Sequence, residues 1–296
     1  MKKFGFWIEA MRLRTLPVSV AGVVAAAGVT ASTGSVDWLP LLLCLAFAIL
    51  CQIASNFANE YFDFTAGRDR PGREGPRRGV TEGDITPAGM RKAIAITLGL
   101  GACTGLSLVA WGGWWLLAIG ALVGLGLFAY STGPYPLSTH GWGEVAVVLF
   151  FGLIPVCLTC WLQTHTWTLA AAATGCAVGL LGANVLIVNN YRDVEDDRAV
   201  NKLTLAVRLG SRRMPALYLC DSIAASLLML VPLSALPLGT LGICGMAALP
   251  AVAGLAIVRA MLRREGHRLT PLLGASAVFM FVYTLLFATA AFVTMI

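Results

Sequence analysis

The chain has 296 residues, of which 58% are hydrophobic and only 12% are charged, and its mean hydropathy is +0.79. This composition excludes a water-soluble globular protein and is typical of a polytopic membrane protein. The net charge of +6 does not indicate a nucleic-acid partner, because in a membrane protein an excess of basic residues is first a topology signal.

Nine apolar stretches are long enough to cross a membrane, which takes about 17 to 25 helical residues. They lie at approximately 16–33, 38–58, 93–110, 114–131, 144–163, 167–188, 214–234, 238–258 and 272–295. The sequence therefore predicts an all-α membrane protein with no soluble domain. The first stretch follows a basic segment, as in a signal peptide, but its leader is long for one, and we expect a retained span.

The lysines and arginines predict the orientation of these spans. All 21 of them fall before the first span or after the second, the sixth and the eighth. Because cytoplasmic loops carry the positive charge, the N-terminus is predicted to be cytoplasmic. An odd number of spans then places the C-terminus outside.

Two similar acidic stretches stand out, Asn59–Asp63 and Asn189–Asp193, and both read Asn-x-Tyr-x-Asp. Each follows an apolar span and begins one of the two long connections, residues 59–92 and 189–213. Because four spans separate these connections, both lie on the cytoplasmic side. The sequence thus predicts a single domain built from two halves of the same orientation, about 1–135 and 136–296.

The first acidic stretch predicts a polar helix face. If the second span continues as a helix through Asp63, then Asn56, Asn59, Glu60 and Asp63 share one face, at the spacing i, i+3, i+4 and i+7.

The second stretch predicts an equivalent face. Asn189, Asp193, Asp196 and Asp197 are expected to project together from the sixth helix, at the same membrane depth as the first group.

Carboxylate and amide oxygens without cysteine or histidine suit Mg²⁺, which takes one or two carboxylates together with substrate phosphates. The alternative is that these are solvated loop acids that balance nearby arginines. Duplication of the pattern at equivalent places favours the metal site.

Basic residues follow the acids closely, as expected where metal ions and cations together neutralise a diphosphate. Lys202 and Arg68 are the strongest candidates, and the others are Arg77, Arg78 and Arg208. The alternative for each is that it only marks the cytoplasmic side.

With these motifs the chain resembles the UbiA superfamily of intramembrane prenyltransferases. The likeness rests on Asn56–Asp69, Gly75–Gly83 and Asn189–Asp197, which are similar to the two Asp-rich regions of that family. Supporting stretches are Arg12–Pro17, Tyr130–Leu137 with Gly143-Glu144, and Asn201–Gly210. The resemblance covers about the first 215 residues in motif form, and beyond them only the hydropathy agrees.

The resemblance implies nine transmembrane helices around a central cavity that the Asp-rich loops cap on the cytoplasmic side. It implies Mg²⁺-dependent ionisation of a polyprenyl diphosphate and attack by an aromatic ring. The chain is most similar to the branch that prenylates 1,4-dihydroxy-2-naphthoate in menaquinone biosynthesis, with loss of CO₂ and diphosphate to give demethylmenaquinol. That branch implies a multi-pass protein of the bacterial inner membrane with its active site facing the cytoplasm.

Residue roles carry over position by position. The metal ligands implied are Asp63, Asp69, Asp193, Asp197 and Glu60, and the catalytic residues are Asp63, Asp193, Lys202 and Arg68. Substrate-binding residues implied are Asn56, Asn59, Asn189, Tyr130, Arg14, Arg77, Arg78 and Arg208. Glu60 stands where relatives have Asp, so its ligand role is in doubt. Arg14 is a candidate for the acceptor carboxylate, and its alternative is a side chain that snorkels to the interface.

Three other functions compete with this one. The acceptor could instead be 4-hydroxybenzoate. A secondary transporter built from parallel repeats is a different class, but it would be expected to place charge at the bilayer midplane, not at the bases of loops. The signature of a CDP-alcohol phosphotransferase is not found in the sequence.

Overall fold

The computed structural model describes residues 2–34, 36–69 and 77–294, with side chains from Gly5 onward. Every regular element in these residues is helical, which confirms the predicted all-α class. Gly75 and Pro76, which belong to the motif resemblance, lie outside the described residues.

Thirteen α-helices follow one another along the described part of the chain. They are α1 Lys2–Met11, α2 Leu16–Ala31, α3 Trp38–Thr65, α4 Pro87–Gly112, α5 Leu116–Ser131, α6 Gly143–Val147, α7 Ile154–Thr164, α8 Leu169–Arg192, α9 Val194–Ala199, α10 Leu205–Leu209, α11 Met214–Leu233, α12 Gly239–Met261 and α13 Thr270–Val293. A π-helical segment, Val148–Leu153, joins α6 to α7.

Eight helical stretches within the described residues are long and apolar enough to cross a membrane, so the chain is a multi-pass membrane protein. The remaining predicted span, residues 114–131, corresponds to α5, which is apolar but has only 16 residues. At 1.5 Å per residue it is about 24 Å long, less than the ~30 Å hydrocarbon layer. The count of nine spans and the orientation of the termini therefore stay predictions.

Helix α2 packs against α3, α7, α8 and α13. Its small residues let neighbouring helices approach closely. A Cβ atom built on Gly28 would lie 2.9 Å from the Cα of Ala288 in α13. One built on Gly22 would lie 2.9 Å from the carbonyl oxygen of Phe151.

A second close crossing fixes α8 against the π-helical segment. A Cβ atom on Gly152 would lie 2.3 Å from the carbonyl oxygen of Gly175 and 2.4 Å from the Cα of Gly179. The π-helical turn lies directly before Pro155, which has no N–H to donate to the carbonyl of residue 151. This crossing sets the position of α6 relative to the C-terminal end of α8.

Candidate functional site

A cavity of about 1420 Å³ lies among α2, α3, α4, α5, α8 and the α6–α7 stretch. Its lining changes character along α3. Cys44 and Phe47 line it near the start of that helix, whereas Asn59 and Asp63 line it near the end. The cavity therefore joins a long apolar compartment to a polar end at the base of the first long connection.

The first acidic cluster is formed by Asp63, Asp69, Arg68 and Arg78. Helix α3 continues to Thr65, so the predicted helical position of Asp63 is confirmed. Arg68 Nη1 lies 3.5 Å from Asp63 Oδ1, and Arg78 Nη2 lies 3.8 Å from Asp63 Oδ2. Arg78 also reaches Asp69, with Nε 3.3 Å from Oδ2, so it bridges the two carboxylates.

The end of α5 holds this cluster against the cavity. Ser131 Oγ donates a hydrogen bond to Asn59 Oδ1 at 2.5 Å, and the Ser131 carbonyl accepts one from Arg68 at 3.3 Å. Tyr130, the preceding residue, lines the cavity. Ser131 lies in the Tyr130–Leu137 stretch that supports the family resemblance, but the sequence indicated no role for its side chain.

Helix α3 is helical through Thr65, so Glu60 shares the predicted face with its neighbours, but it is not among the residues that line the cavity. Its side chain is fully buried, and Oε1 accepts a hydrogen bond from the backbone N–H of Val80 at 3.0 Å. A Cβ atom on Gly79 would come within 3.5 Å of the same oxygen, so the loop backbone passes directly over it. Glu60 thus anchors the connection after α3 to the bundle.

Asn56 lines the cavity, but its amide is already engaged. Nδ2 donates to the carbonyl of Met11 at 2.9 Å and to Thr15 Oγ1 at 3.1 Å, and Oδ1 accepts from Gln52 Nε2 at 3.1 Å. Asn56 therefore ties α3 to the junction between α1 and α2.

The second acidic cluster is formed by Asn189, Asp193, Asp197, Arg192 and Lys202. Arg192 holds Asp193 with two short contacts, 2.6 Å from Nε to Oδ1 and 2.8 Å from Nη2 to Oδ2. Its Nη2 also donates to Asn189 Oδ1 at 3.0 Å. Lys202 Nζ lies 3.1 Å from Asp197 Oδ1.

The prediction that four residues of the second stretch share one face is wrong for Asp196. Helix α8 ends at Arg192, and Asp197 lies in the separate helix α9. Backbone hydrogen bonds still connect Asp193 to Asn189 (3.1 Å) and Asp197 to Asp193 (2.8 Å). This path keeps both aspartates buried, but it leaves Asp196 exposed on the far side of α9.

The fold brings the two clusters to one cavity. Asn59 and Asp63 line it from α3, and Asn189, Arg192 and Lys202 line it from the other half of the chain. Lys202 also interacts electrostatically with Asp63. Within the described residues no three acidic, histidine or cysteine side chains converge on a single point. Each cluster therefore offers one or two carboxylates to a ligand.

Two of the predicted basic residues are turned toward other partners. Arg77 lines the cavity, but it pairs with Asp84, with 2.9 Å from Nε to Oδ2, and lies over the ring of Phe6. Arg208 is exposed and donates from Nε to the carbonyl of Leu203 at 3.2 Å.

Arg14 remains at the entrance of the cavity. It is exposed and lines the polar end. This placement agrees both with contact to an acceptor and with a solvated side chain, so its predicted role stays a prediction.

Two elements of the site had no predicted role. Arg192 was counted only as a topology signal, although it connects Asp193 to Asn189 and also donates to Thr270 Oγ1 at 3.3 Å. The signal for it was its position directly before Asp193 in the acidic stretch.

The other element is a buried pair, in which Asn190 Nδ2 donates to Glu144 Oε1 at 2.8 Å. Its sequence signals were the Asn189-Asn190 doublet and the Gly143-Glu144 pair of the family resemblance.

The profile of the UbiA prenyltransferase family matches residues 19–285. The chain belongs to this family. The resemblance seen in the sequence motifs is thereby confirmed, and the protein is a prenyltransferase embedded in a membrane.

Curated relatives agree with this family. The chain is 37% identical over 290 residues to a 1,4-dihydroxy-2-naphthoate octaprenyltransferase of Mycobacterium tuberculosis, covering 98% of each chain. It is 38% identical over 226 residues to the Escherichia coli protein of the same name, covering 73% of each.

Solved structures share the fold. A UbiA homolog from Aeropyrum pernix K1 in its apo form superposes with a TM-score of 0.67 at 15% identity, covering 91% of this chain and 97% of that one. A UbiA homolog from Archaeoglobus fulgidus bound to DMAPP and Mg²⁺ gives a TM-score of 0.64 at 17% identity, covering 94% and 98%.

Proposed function

We propose that this UbiA family member transfers a polyprenyl group from a polyprenyl diphosphate to 1,4-dihydroxy-2-naphthoate, releasing CO₂ and diphosphate and giving demethylmenaquinol. The observation that carries the proposal is that two clusters of acidic and basic side chains lie at one end of a long apolar cavity. Relatives named for this reaction, which match nearly the whole chain, support the choice of acceptor.

The residues present fit a Mg²⁺ site. Asp63 with Asn59, and Asp193 with Asn189, would hold the metal from opposite halves of the chain, because all four side chains offer hard oxygen atoms. Asp63, Asn59 and Asn189 line the polar end of the cavity, and Asp193 is paired with Arg192, which also lines it. Asp69 and Asp197 lie behind them, paired with basic side chains. When bound, Mg²⁺ neutralises charge on the diphosphate oxygens. The Archaeoglobus fulgidus homolog bound to DMAPP and Mg²⁺ supports this assignment.

Four basic side chains are placed to stabilise the leaving diphosphate. Arg68 and Arg78 lie at Asp63, and Arg192 and Lys202 lie at the second cluster. As the carbon–oxygen bond breaks, negative charge develops on the diphosphate, and preorganised cations stabilise it most strongly in a site shielded from water. Lys202 and Arg192 line the cavity directly, and we expect them to contact the diphosphate.

The apolar compartment would hold the prenyl chain and keep water from the allylic cation. It is lined by Phe47, Leu108, Leu117 and Leu158, among other residues of α3, α4, α5 and α7. The distribution of basic residues further supports a cytoplasmic active site and an inner-membrane location.

Purified protein in detergent tests the proposal. With Mg²⁺, a polyprenyl diphosphate and carboxyl-labelled 1,4-dihydroxy-2-naphthoate, we expect labelled CO₂ and a prenylated product in equal amounts. A parallel reaction contains 4-hydroxybenzoate instead. Release of diphosphate with prenylated hydroxybenzoate and no prenylated naphthoate would discard the naphthoate acceptor and retain the ionisation chemistry. Absence of diphosphate release with either acceptor would contradict prenyl transfer itself.

A further inference from the structure

Glu144, in the first turn of α6, is a buried carboxylate that the proposed diphosphate chemistry does not use. It lines the cavity, and only 7% of the residue is exposed. Oε1 accepts the hydrogen bond from Asn190 Nδ2, whereas Oε2 is shielded from solvent and has no hydrogen-bond partner among the described residues. Leaving a buried carboxylate oxygen without a donor is costly, so this oxygen indicates a donor that a ligand supplies.

The hydrogen-bond partner of Glu144, Asn190, belongs to neither acidic cluster. Asn189 turns its amide toward Arg192, whereas Asn190, the next residue, turns toward Glu144. Tyr130 of α5 lies across the cavity wall, where a Cβ atom on Gly143 would be 3.6 Å from its hydroxyl oxygen.

Three titratable groups from three elements interact electrostatically with Glu144. They are Tyr130 of α5, Lys202 of the connection after α9, and Asp221 of α11. Lys202 links this region to the second acidic cluster, through its contact with Asp197. An acceptor bound at Glu144 would therefore lie next to the diphosphate site.

The reaction needs a proton acceptor at this place. The ring carbon that bears the carboxylate is flanked by the carbon that bears the 1-hydroxyl group. Loss of the hydroxyl proton increases the electron density on that ring carbon and makes it a stronger nucleophile. After the new carbon–carbon bond forms, a carbonyl stands beside the carboxylate-bearing carbon, and such a β-keto acid loses CO₂ readily.

We propose that Glu144 is the catalytic residue that takes the proton of the 1-hydroxyl group and later returns it. The O–H electron pair forms the carbonyl, a ring electron pair forms the bond to the prenyl carbon, and the diphosphate leaves with the electrons of its carbon–oxygen bond. When the bond to CO₂ breaks, its electron pair passes to the carbonyl oxygen, which regains the proton from Glu144. The terminal torsion of a glutamate is broad, so either oxygen can face the acceptor.

This inference rests on the proposed function, and a matched pair of variants tests it. Glu144→Gln keeps the size of the side chain and the acceptor for Asn190, but removes the base. We expect product formation to fall about 100- to 1000-fold, with the KM for the prenyl diphosphate changed by about threefold at most. The control is Glu195→Gln, an exposed glutamate on α9, which should retain wild-type turnover. An E144Q variant that keeps more than about a tenth of the turnover would overturn the inference.

Acceptor binding gives a readout that a purely structural role would not produce. Calorimetry without prenyl diphosphate compares the naphthoate with its 1-methyl ether, which has no proton to share. We expect E144Q to bind the naphthoate about tenfold more weakly, because a hydrogen bond to a charged group is lost, and to bind the ether as the wild type does. Equal loss for both ligands would indicate a packing defect and contradict the proposal.

Two further variants cover the case in which E144Q does not fold. Glu144→Asp and Glu144→Asn shorten the side chain equally and differ in whether they can accept a proton. The aspartate variant should be at least about tenfold faster, and equal rates would overturn the inference. If the wild type prenylates only 4-hydroxybenzoate, the proposed acceptor fails, and the same variants are then compared with that phenol.

Discussion

The two acidic clusters have similar sequences, but the structure builds them differently. In the first cluster, Asp63 is 22% exposed along the cavity and its arginine contacts are long, at 3.5 and 3.8 Å. In the second cluster, Asp193 is only 6% exposed and lies 2.6 Å from Arg192, itself 3% exposed. The first carboxylate is open to a ligand, whereas the second is part of a closed ion pair.

Equivalent motifs therefore need not hold their ligands in equivalent ways. Asp63 can accept a cation while Arg68 stays hydrogen-bonded to the Ser131 carbonyl and Arg78 stays paired with Asp69. A cation at Asp193 would compete with Arg192. That arginine has a second set of partners in Asn189 and Thr270. We expect the first cluster to dominate metal binding and the second to couple binding to the position of Arg192.

The largest expected effect comes from removing either carboxylate. Asp63→Ala and Asp193→Ala should each lower turnover by about 1000-fold or more, because each removes charge stabilisation at the diphosphate. The two variants should differ in their free energy of unfolding. Asp193→Ala leaves a buried guanidinium without its carboxylate and should cost about 3 kcal/mol of unfolding free energy, whereas Asp63→Ala should cost about 1 kcal/mol or less. Turnover assays and unfolding in detergent measure both quantities. Near-normal turnover in both variants would reject the two-cluster site.

A smaller effect is expected from changes to the basic residues. The comparison is between Lys202, which faces the cavity, and Arg208, which does not line it. Lys202→Met should lower kcat about 100-fold, because the ammonium group faces both the cavity and Asp197. Arg208→Met removes an exposed cation whose guanidinium bonds the Leu203 carbonyl and no acidic side chain that the structure describes, and kcat should change by about threefold at most. Steady-state kinetics with varied concentrations of the prenyl diphosphate measure kcat for both variants. Equal losses would mean that Arg208 moves into the site when substrate binds.

The smallest effect is expected for Glu60→Gln. The amide retains an oxygen for the N–H of Val80, so the loop should stay in place and the Mg²⁺ concentration for half-maximal turnover should change by about twofold at most. Asp63→Asn is the matched control, and it should raise that concentration at least about tenfold if residual turnover is measurable. A large shift for E60Q would show that Glu60 is a metal ligand and that the first site has three carboxylates.

Much of the site could be predicted because its signals are local. The Asn-x-Tyr-x-Asp repeat and the helical spacing of Asn59 and Asp63 follow from chain order and helix geometry. The partner of Glu60 could not be predicted in this way, because the N–H of Val80 that bonds it lies in a loop 20 residues further along the chain. Asp196 was predicted wrongly because α8 ends at Arg192 and the residue lies in the separate helix α9, where it is exposed.

Composition and the length of the apolar stretches predict an all-helical membrane protein, and the repeated motif predicts its two acidic stretches at span ends. The packing of the bundle determines which carboxylates face the cavity and which are held in ion pairs. It also brings Glu144 and Asn190 together in the cavity wall. The reason is that partners 46 residues apart in the chain meet through helix crossings, and a crossing such as that of Gly152 with Gly175 is a property of the packed bundle.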